Sequence, residues 1–204
     1  MKQVLITCCL LVVLCAAGYA QQNANKSMEK ITSELMKRAE SENLSVATLG
    51  TGCFWCTEAI FEQLRGVRDV VSGYAGGHVA NPSYEQVCGK KTGHAETVQI
   101  LFDPEMISYA DLLEVFWRVH NPTTPNRQGN DVGPQYRSAI FYHGEEQKTT
   151  AEQSRRETDA SGLWENAIVT EISPYTNFYP AEQAHQGYYR KVGNRNPYCT
   201  YVID

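Results

Sequence analysis

The sequence predicts an α+β fold, and three observations lead to it. Between residues 45 and 142, short β-branched runs alternate with helical segments in the order β-α-β-β-α-β, the split βαβ arrangement of a ferredoxin-like two-layer sandwich. Apolar positions switch between the period of two expected of strands and the 3.6 expected of helices. A length of 204 residues is enough to bury a full core in one domain.

The elements follow in order. Ser27 and Glu29 open a helix over 27–42, with Ile31, Leu35 and Met36 at helical spacing; it is expected to pack outside the main core. Val46 to Leu49 reads as a strand that passes through Gly50-Thr51-Gly52 into a helix carrying Ile60, Phe61 and Leu64, which Gly66 stops. Val67–Gly73 and Thr97–Phe102 are strands, the second closed by Asp103-Pro104. Ser108 caps a helix with Leu112, Leu113, Val115, Phe116 and Val119, which Asn121-Pro122 ends. Ser138–Tyr142 is the fourth strand. A polar, exposed helix (144–160), a strand (167–172) that extends the sheet and a last helix (180–191) complete the chain.

Two loops, 75–95 and 121–135, are longer than a compact domain needs, and loops of that length tend to be functional. Their glycines permit close backbone approach, so both are expected to line a site.

Residues 1–20 match a signal peptide: Lys2, an apolar run from Val4 to Ala17, and Gly18-Tyr19-Ala20 as a small-x-small exit. Cleavage after Ala20 and export to a periplasm or secretory route are expected, rather than membrane anchoring. Export would leave four cysteines, Cys53, Cys56, Cys88 and Cys199, too few for a disulfide scaffold and in a compartment where thiols do not stay reduced unaided. A net charge of −5 without a Lys/Arg cluster disfavours a nucleic-acid partner.

The first strand-to-helix turn reads Gly52-Cys53-Phe54-Trp55-Cys56. A thiol at a helix start faces unpaired N–H groups that stabilise thiolate, which suits a nucleophile. Cys56, three residues on, is close enough for a disulfide. A structural disulfide and a four-cysteine zinc site stand as alternatives, the second weakened by the presence of one Cys-x-x-Cys knuckle instead of two. Phe54 and Trp55 are placed to wall an apolar pocket.

Gly52-Cys53-Phe54-Trp55 resembles the signature of the A-type peptide methionine sulfoxide reductases. The likeness continues through Ser72–Gly77, Asn81–Tyr84, Val87-Cys88, Thr92–Glu96, Asn126–Asp131, Gln135–Ser138 and Ala181-Glu182-x-x-His185-Gln186. The resemblance implies a ferredoxin-like core and a catalytic domain over 45–204, after the leader (1–20) and the N-terminal segment and helix (21–44). It also implies reduction of methionine S-sulfoxide, free or in proteins, without a cofactor or metal. Carried onto this chain, it makes Cys53 the nucleophile, Glu96 the acid with Tyr84 and Tyr136 assisting, Asp131 a polar group of the pocket, and Phe54 and Trp55 the walls around the substrate methyl. Cys56 stands where the commoner pattern has glycine, so the Cys53 sulfenic acid has two candidate resolvers, Cys56 and Cys199. Cys88 is expected to be a buried bystander, and His94, His120 and His185 to be structural or to support a site residue without touching the substrate. A thioredoxin-like reductant and a monomeric enzyme are implied.

Overall fold

The computed structural model describes Lys26 and residues 30–192. The leader, the Ser27 cap and Cys199 lie outside the described residues. In chain order the elements are α1 (30–41), β1 (Ser45–Thr51), α2 (Phe54–Phe61), β2 (Val67–Ala75), α3 (Tyr84–Cys88), β3 (Ala95–Phe102), α4 (Tyr109–Arg118), β4 (Arg127–Gln128), β5 (Asp131–Val132), a 3₁₀ turn (Pro134–Tyr136), β6 (Ser138–Tyr142), α5 (Glu145–Ser161), β7 (Glu171–Pro174), β8 (Phe178–Pro180) and α6 (Tyr188–Val192).

The fold is mixed α/β, built on a six-stranded sheet in the order β7-β6-β1-β3-β2-β8. The central strands pair antiparallel, β1 with β3 and β6, and β2 with β3. β7 joins β6 in parallel. Alternation along the strands sends Ala47, Leu49, Val98, Ile100 and Ile140 to one face. There they bury Phe54 and Phe61 of α2, Leu112, Leu113, Phe116 and Trp117 of α4, and Ala151 of α5. Ala151 is the one buried residue of α5, so that helix is exposed, as its polar sequence predicts. The opposite face is covered too. Leu35 of α1 packs with Val71, Leu101, Ala139 and Phe141, so the sheet is not the bare-backed half of a two-layer sandwich.

Local chemistry explains the element ends. Ser108 Oγ accepts the Asp111 N–H at 3.1 Å while the Asp111 carboxylate accepts the Ser108 N–H at 2.9 Å, a capping box at the start of α4. Ser83 and Gln86 make the same box on α3, inside a stretch expected to be loop throughout.

The C-terminal third differs from expectation. The strand expected over 167–172 starts four residues later, and β8 adds a sixth strand of three residues against β2, too short to leave a periodic signal. The helix expected over 180–191 shrinks to Tyr188–Val192 because Ala181 to Gly187 bonds to other elements instead. Ala181 N–H donates to Ser72 O at 2.8 Å, and the Gln186 side chain both accepts from Ser72 N and donates to Ser72 O. Among the described residues no helix is long and apolar enough to cross a membrane.

Candidate active site

The turn between β1 and α2 is built to present a sulfur atom. Gly52 has φ +103°, and a Cβ there would stand 2.7 Å from Gln128, so the hairpin β4–β5 closes directly over it. Cys53 is the N-cap of α2, with extended backbone, and the Trp55 and Cys56 N–H groups point at its sulfur. Thr57 Oγ1 donates to Cys53 O at 3.0 Å and bonds Thr51 Oγ1 at 2.6 Å, fixing the first helical turn to the strand it follows.

A cavity of about 270 Å³ opens beside the sulfur. Its lining is Cys53, Phe54 and Trp55 from the turn, Tyr84 from the first long loop, Glu96 from β3, Asp131 from the second long loop and Tyr136 just past its end. All seven residues assigned to the reaction or the substrate pocket are therefore in one place. Both long loops contribute, although they carry α3, β4, β5 and the 3₁₀ turn instead of being structureless.

Glu96 is 2% exposed. Its Oε2 accepts the Phe54 N–H at 3.2 Å, and its Oε1 is buried without a hydrogen-bond partner. Burial raises its pKa to about 8, the Phe54 N–H opposing and Asp131 adding to the rise. The carboxyl is an acid at neutral pH. Burial and the Glu96 charge likewise keep the phenols of Tyr84 and Tyr136 protonated, as hydrogen-bond donors.

Cys53 corrects one expectation. The helix start does lower its pKa, through the Cys56 and Trp55 N–H groups, but burial and the neighbouring Glu96 outweigh it and push the thiol up to about 12. At rest the sulfur carries a proton.

The aromatic wall is more extensive than Phe54 and Trp55. Phe54 lies 5.7 Å from Tyr74 and 6.3 Å from Tyr84, ring centre to ring centre. Tyr188 stacks on Trp55 at 3.9 Å, and Trp55 Nε1–H donates to His185 Nδ1 at 3.3 Å. Glu182 Oε1 accepts the Tyr84 N–H at 2.9 Å and Oε2 accepts the Tyr74 hydroxyl at 3.2 Å. Sequence reasoning assigned nothing to Tyr74, Glu182 or Tyr188. The quoted motif Ala181-Glu182-x-x-His185 was the available signal.

The remaining residues sort simply. His120 is buried, bonded to Phe116 O and Ser138 Oγ, with its pKa pushed down to about 4 by burial. His94 bonds Gly77 N–H and Val79 O. Both are structural, and His185 supports a pocket residue, Trp55, all within the expectation. Cys88 is half-buried, not buried, because α3 leaves one side to solvent; its thiol is free, and burial raises its pKa. Cys53 is a free thiol as well. Cys53 and Cys56 share a second, small space of about 40 Å³ with Gln128 and Asp131.

A profile of the family described as peptide methionine sulfoxide reductase matches residues 45–204. The chain belongs to that family. It is an oxidoreductase that reduces methionine sulfoxide in peptides. Among its relatives, the peptide methionine sulfoxide reductase MsrA of Sulfolobus acidocaldarius is 55% identical over 165 residues, covering 79% of this chain and 90% of the relative. That of Thermus thermophilus is 56% identical over 158 residues, covering 78% and 88%. Of solved structures, reduced Mxr1 from Saccharomyces cerevisiae is 36% identical with a TM-score of 0.71, over 75% of this chain and 87% of that one. Mxr1 in complex with Trx2 is 28% identical with a TM-score of 0.51, over 71% and 84%.

Proposed function

We propose that this chain reduces methionine S-sulfoxide by oxygen transfer to Cys53, with Glu96 as the acid. The carrying observation is the buried Glu96 carboxyl with an unpartnered oxygen, lining the same cavity as the Cys53 thiol. Oxygen leaves sulfur only when protonated, and a carboxyl that holds its proton to about pH 8 supplies it. The Cys53 proton goes to Glu96 as the sulfur attacks, so the acid is restored. The substrate sulfur gains two electrons, Cys53 loses two, and Cys53 sulfenic acid and methionine result. Tyr84 and Tyr136 donate to the moving oxygen, Asp131 holds the polar end of the substrate, and Phe54 and Trp55 take its methyl. Free and protein-bound sulfoxide both present this group.

The sulfenic acid then condenses with a thiol, releasing water. Cys56 is the first resolver in this reading, being on the same helical turn and in the same small space as Cys53. In a second step Cys199, the other candidate resolver, takes over the bond to Cys56 and frees Cys53. A thioredoxin-like dithiol closes the cycle, a reading supported by the similarity to Mxr1, solved in complex with Trx2. We further read the core as ferredoxin-like, since its four central strands run β6-β1-β3-β2 with α2 and α4 on one face. The working unit is a monomer of residues 45–204, with α1 (30–41) as an outer brace, exported after cleavage at Ala20; the N-terminus of the mature protein, read by mass spectrometry, checks the last point.

The deciding experiment is one turnover on methionine sulfoxide without reductant, followed by peptide mapping of disulfides. Starting from fully reduced protein, a Cys53–Cys56 bridge is expected first, and Cys56–Cys199 later. A Cys53–Cys199 bridge with Cys56 free rejects Cys56 as the resolver, and turnover by Cys53→Ser rejects the nucleophile.

A further inference from the structure

We propose that Glu58, on the same helix as Cys53, is a positioning residue for the outer wall of the substrate pocket: it holds Gly187, and through Gly187 it sets His185 and Tyr188 against the indole of Trp55. The inference rests on the reading above that Trp55 encloses the substrate methyl.

Glu58 is 2% exposed, and both its oxygens accept the single N–H of Gly187, at 2.9 and 3.0 Å. The Gly187 N–H, with the Ser72 hydroxyl and the Arg190 charge nearby, only partly compensates burial of the carboxyl, whose pKa is still raised. The gain is geometric. Glu58 follows Trp55 by three residues, so the two side chains leave α2 on neighbouring positions of one flank. The residues on either side of Gly187 reach back to the same indole: His185 accepts its N–H at 3.3 Å, and the Tyr188 ring lies over it at 3.9 Å, 12° from parallel. Carboxyl, turn, tyrosine and tryptophan thus close a loop around one side of the cavity. Gly187 has φ +57°, a conformation that aims its N–H at α2 and that other residues rarely adopt.

The other attachments of this segment act elsewhere. Gln186 and Ala181 bond Ser72, tying the segment to β2. Arg190 pairs with Glu62 at the solvent edge, its side chain 67% exposed. Glu58 is the buried contact at the residue preceding Tyr188.

The test compares methionine sulfoxide with its ethyl homologue, using Glu58→Leu, Glu58→Asp and Glu58→Gln with dithiothreitol as reductant. Misplacing the wall should raise KM for the methyl substrate about tenfold in Glu58→Leu and weaken discrimination against the ethyl homologue, while Cys53 oxidation at saturating substrate changes less than about threefold. Glu58→Asp, whose carboxylate is one methylene short of Gly187, should shift KM and discrimination in the same direction, and it decides the matter if Glu58→Leu does not fold. Glu58→Gln keeps an acceptor for the Gly187 N–H and should keep the discrimination. Wild-type KM and discrimination in the folded Leu or Asp variant overturn the proposal, whatever their melting temperatures. Absence of methyl-over-ethyl preference in the wild type overturns the methyl-pocket reading instead, and the proposal with it.

Discussion

Helix α2 meets two buried carboxyls, Glu96 of β3 at its N-terminus and its own Glu58 on its flank, and the two are wired differently. At its N-terminus Glu96 gives one oxygen to the Phe54 N–H and leaves the other without a partner beside the cavity. On its flank Glu58 commits both oxygens to Gly187. Burial raises both pKa values. Desolvation alone therefore does not mark the reactive acid; the spare oxygen does, because a proton can be handed over only from an atom that the structure has not already used.

The largest expected effect tests that distinction directly. Glu96→Gln should lower kcat/KM for methionine sulfoxide by about a hundredfold or more near neutral pH, and the deficit should shrink as pH falls and solvent supplies the proton. Glu58→Gln should stay near wild type in kcat, with an unchanged pH profile. Equal losses with the same pH dependence would mean that the two carboxyls are not distinguished by their wiring.

The second effect is on stability. Glu96 keeps its proton to about pH 8 in the folded chain, against an ordinary value of 4.5. Between those values the folded state binds more protons than the unfolded one, so stability falls as pH rises from about 4.5 to about 8. Glu96→Gln has no proton to lose. Thermal melts should show the variant losing less stability than wild type over that interval and standing above it at pH 8. A parallel pair of melting curves would place the Glu96 pKa near its ordinary value and remove the basis for its acid role. Activity of the wild type should decline above about pH 8 for the same reason.

How much of this was legible in the sequence depends on the range of the contact. The Cys53 turn and the Ser108 cap rest on interactions within a few residues, and the Ser138–Tyr142 strand, though it pairs with β1 far away in sequence, shows its own β-branched and aromatic run; each is where local pattern and capping chemistry put it. Glu96, in a strand buried along its whole length, shows nothing local that separates an acid from a surface carboxylate; only the Gly93-His94-Ala95-Glu96 resemblance pointed to it. Glu58 and Glu182 were invisible as positioning groups because their partners lie 129 and 98 residues away. The raised thiol pKa was missed for a related reason. The helix start is readable from sequence, but the burial and the neighbouring carboxylate that overrule it are properties of the folded site.

The smallest expected effect separates the buried contact from the exposed one on the same flank. Glu62 and Arg190 form an ion pair one turn beyond Glu58, joining the same two segments. Because the Arg190 side chain is mostly in solvent, the charge attraction is screened and the guanidinium must be ordered to make it, so such a pair contributes at most about 1 kcal/mol. Glu62→Ala should therefore shift the melting temperature by no more than a few degrees. It should also leave KM and the preference for a methyl over an ethyl sulfoxide as in the wild type, since Glu58 still fixes Gly187. If Glu62→Ala relaxes that preference as much as Glu58→Leu does, the wall is held from its solvent edge, and the buried Glu58 carboxyl is left without a geometric purpose.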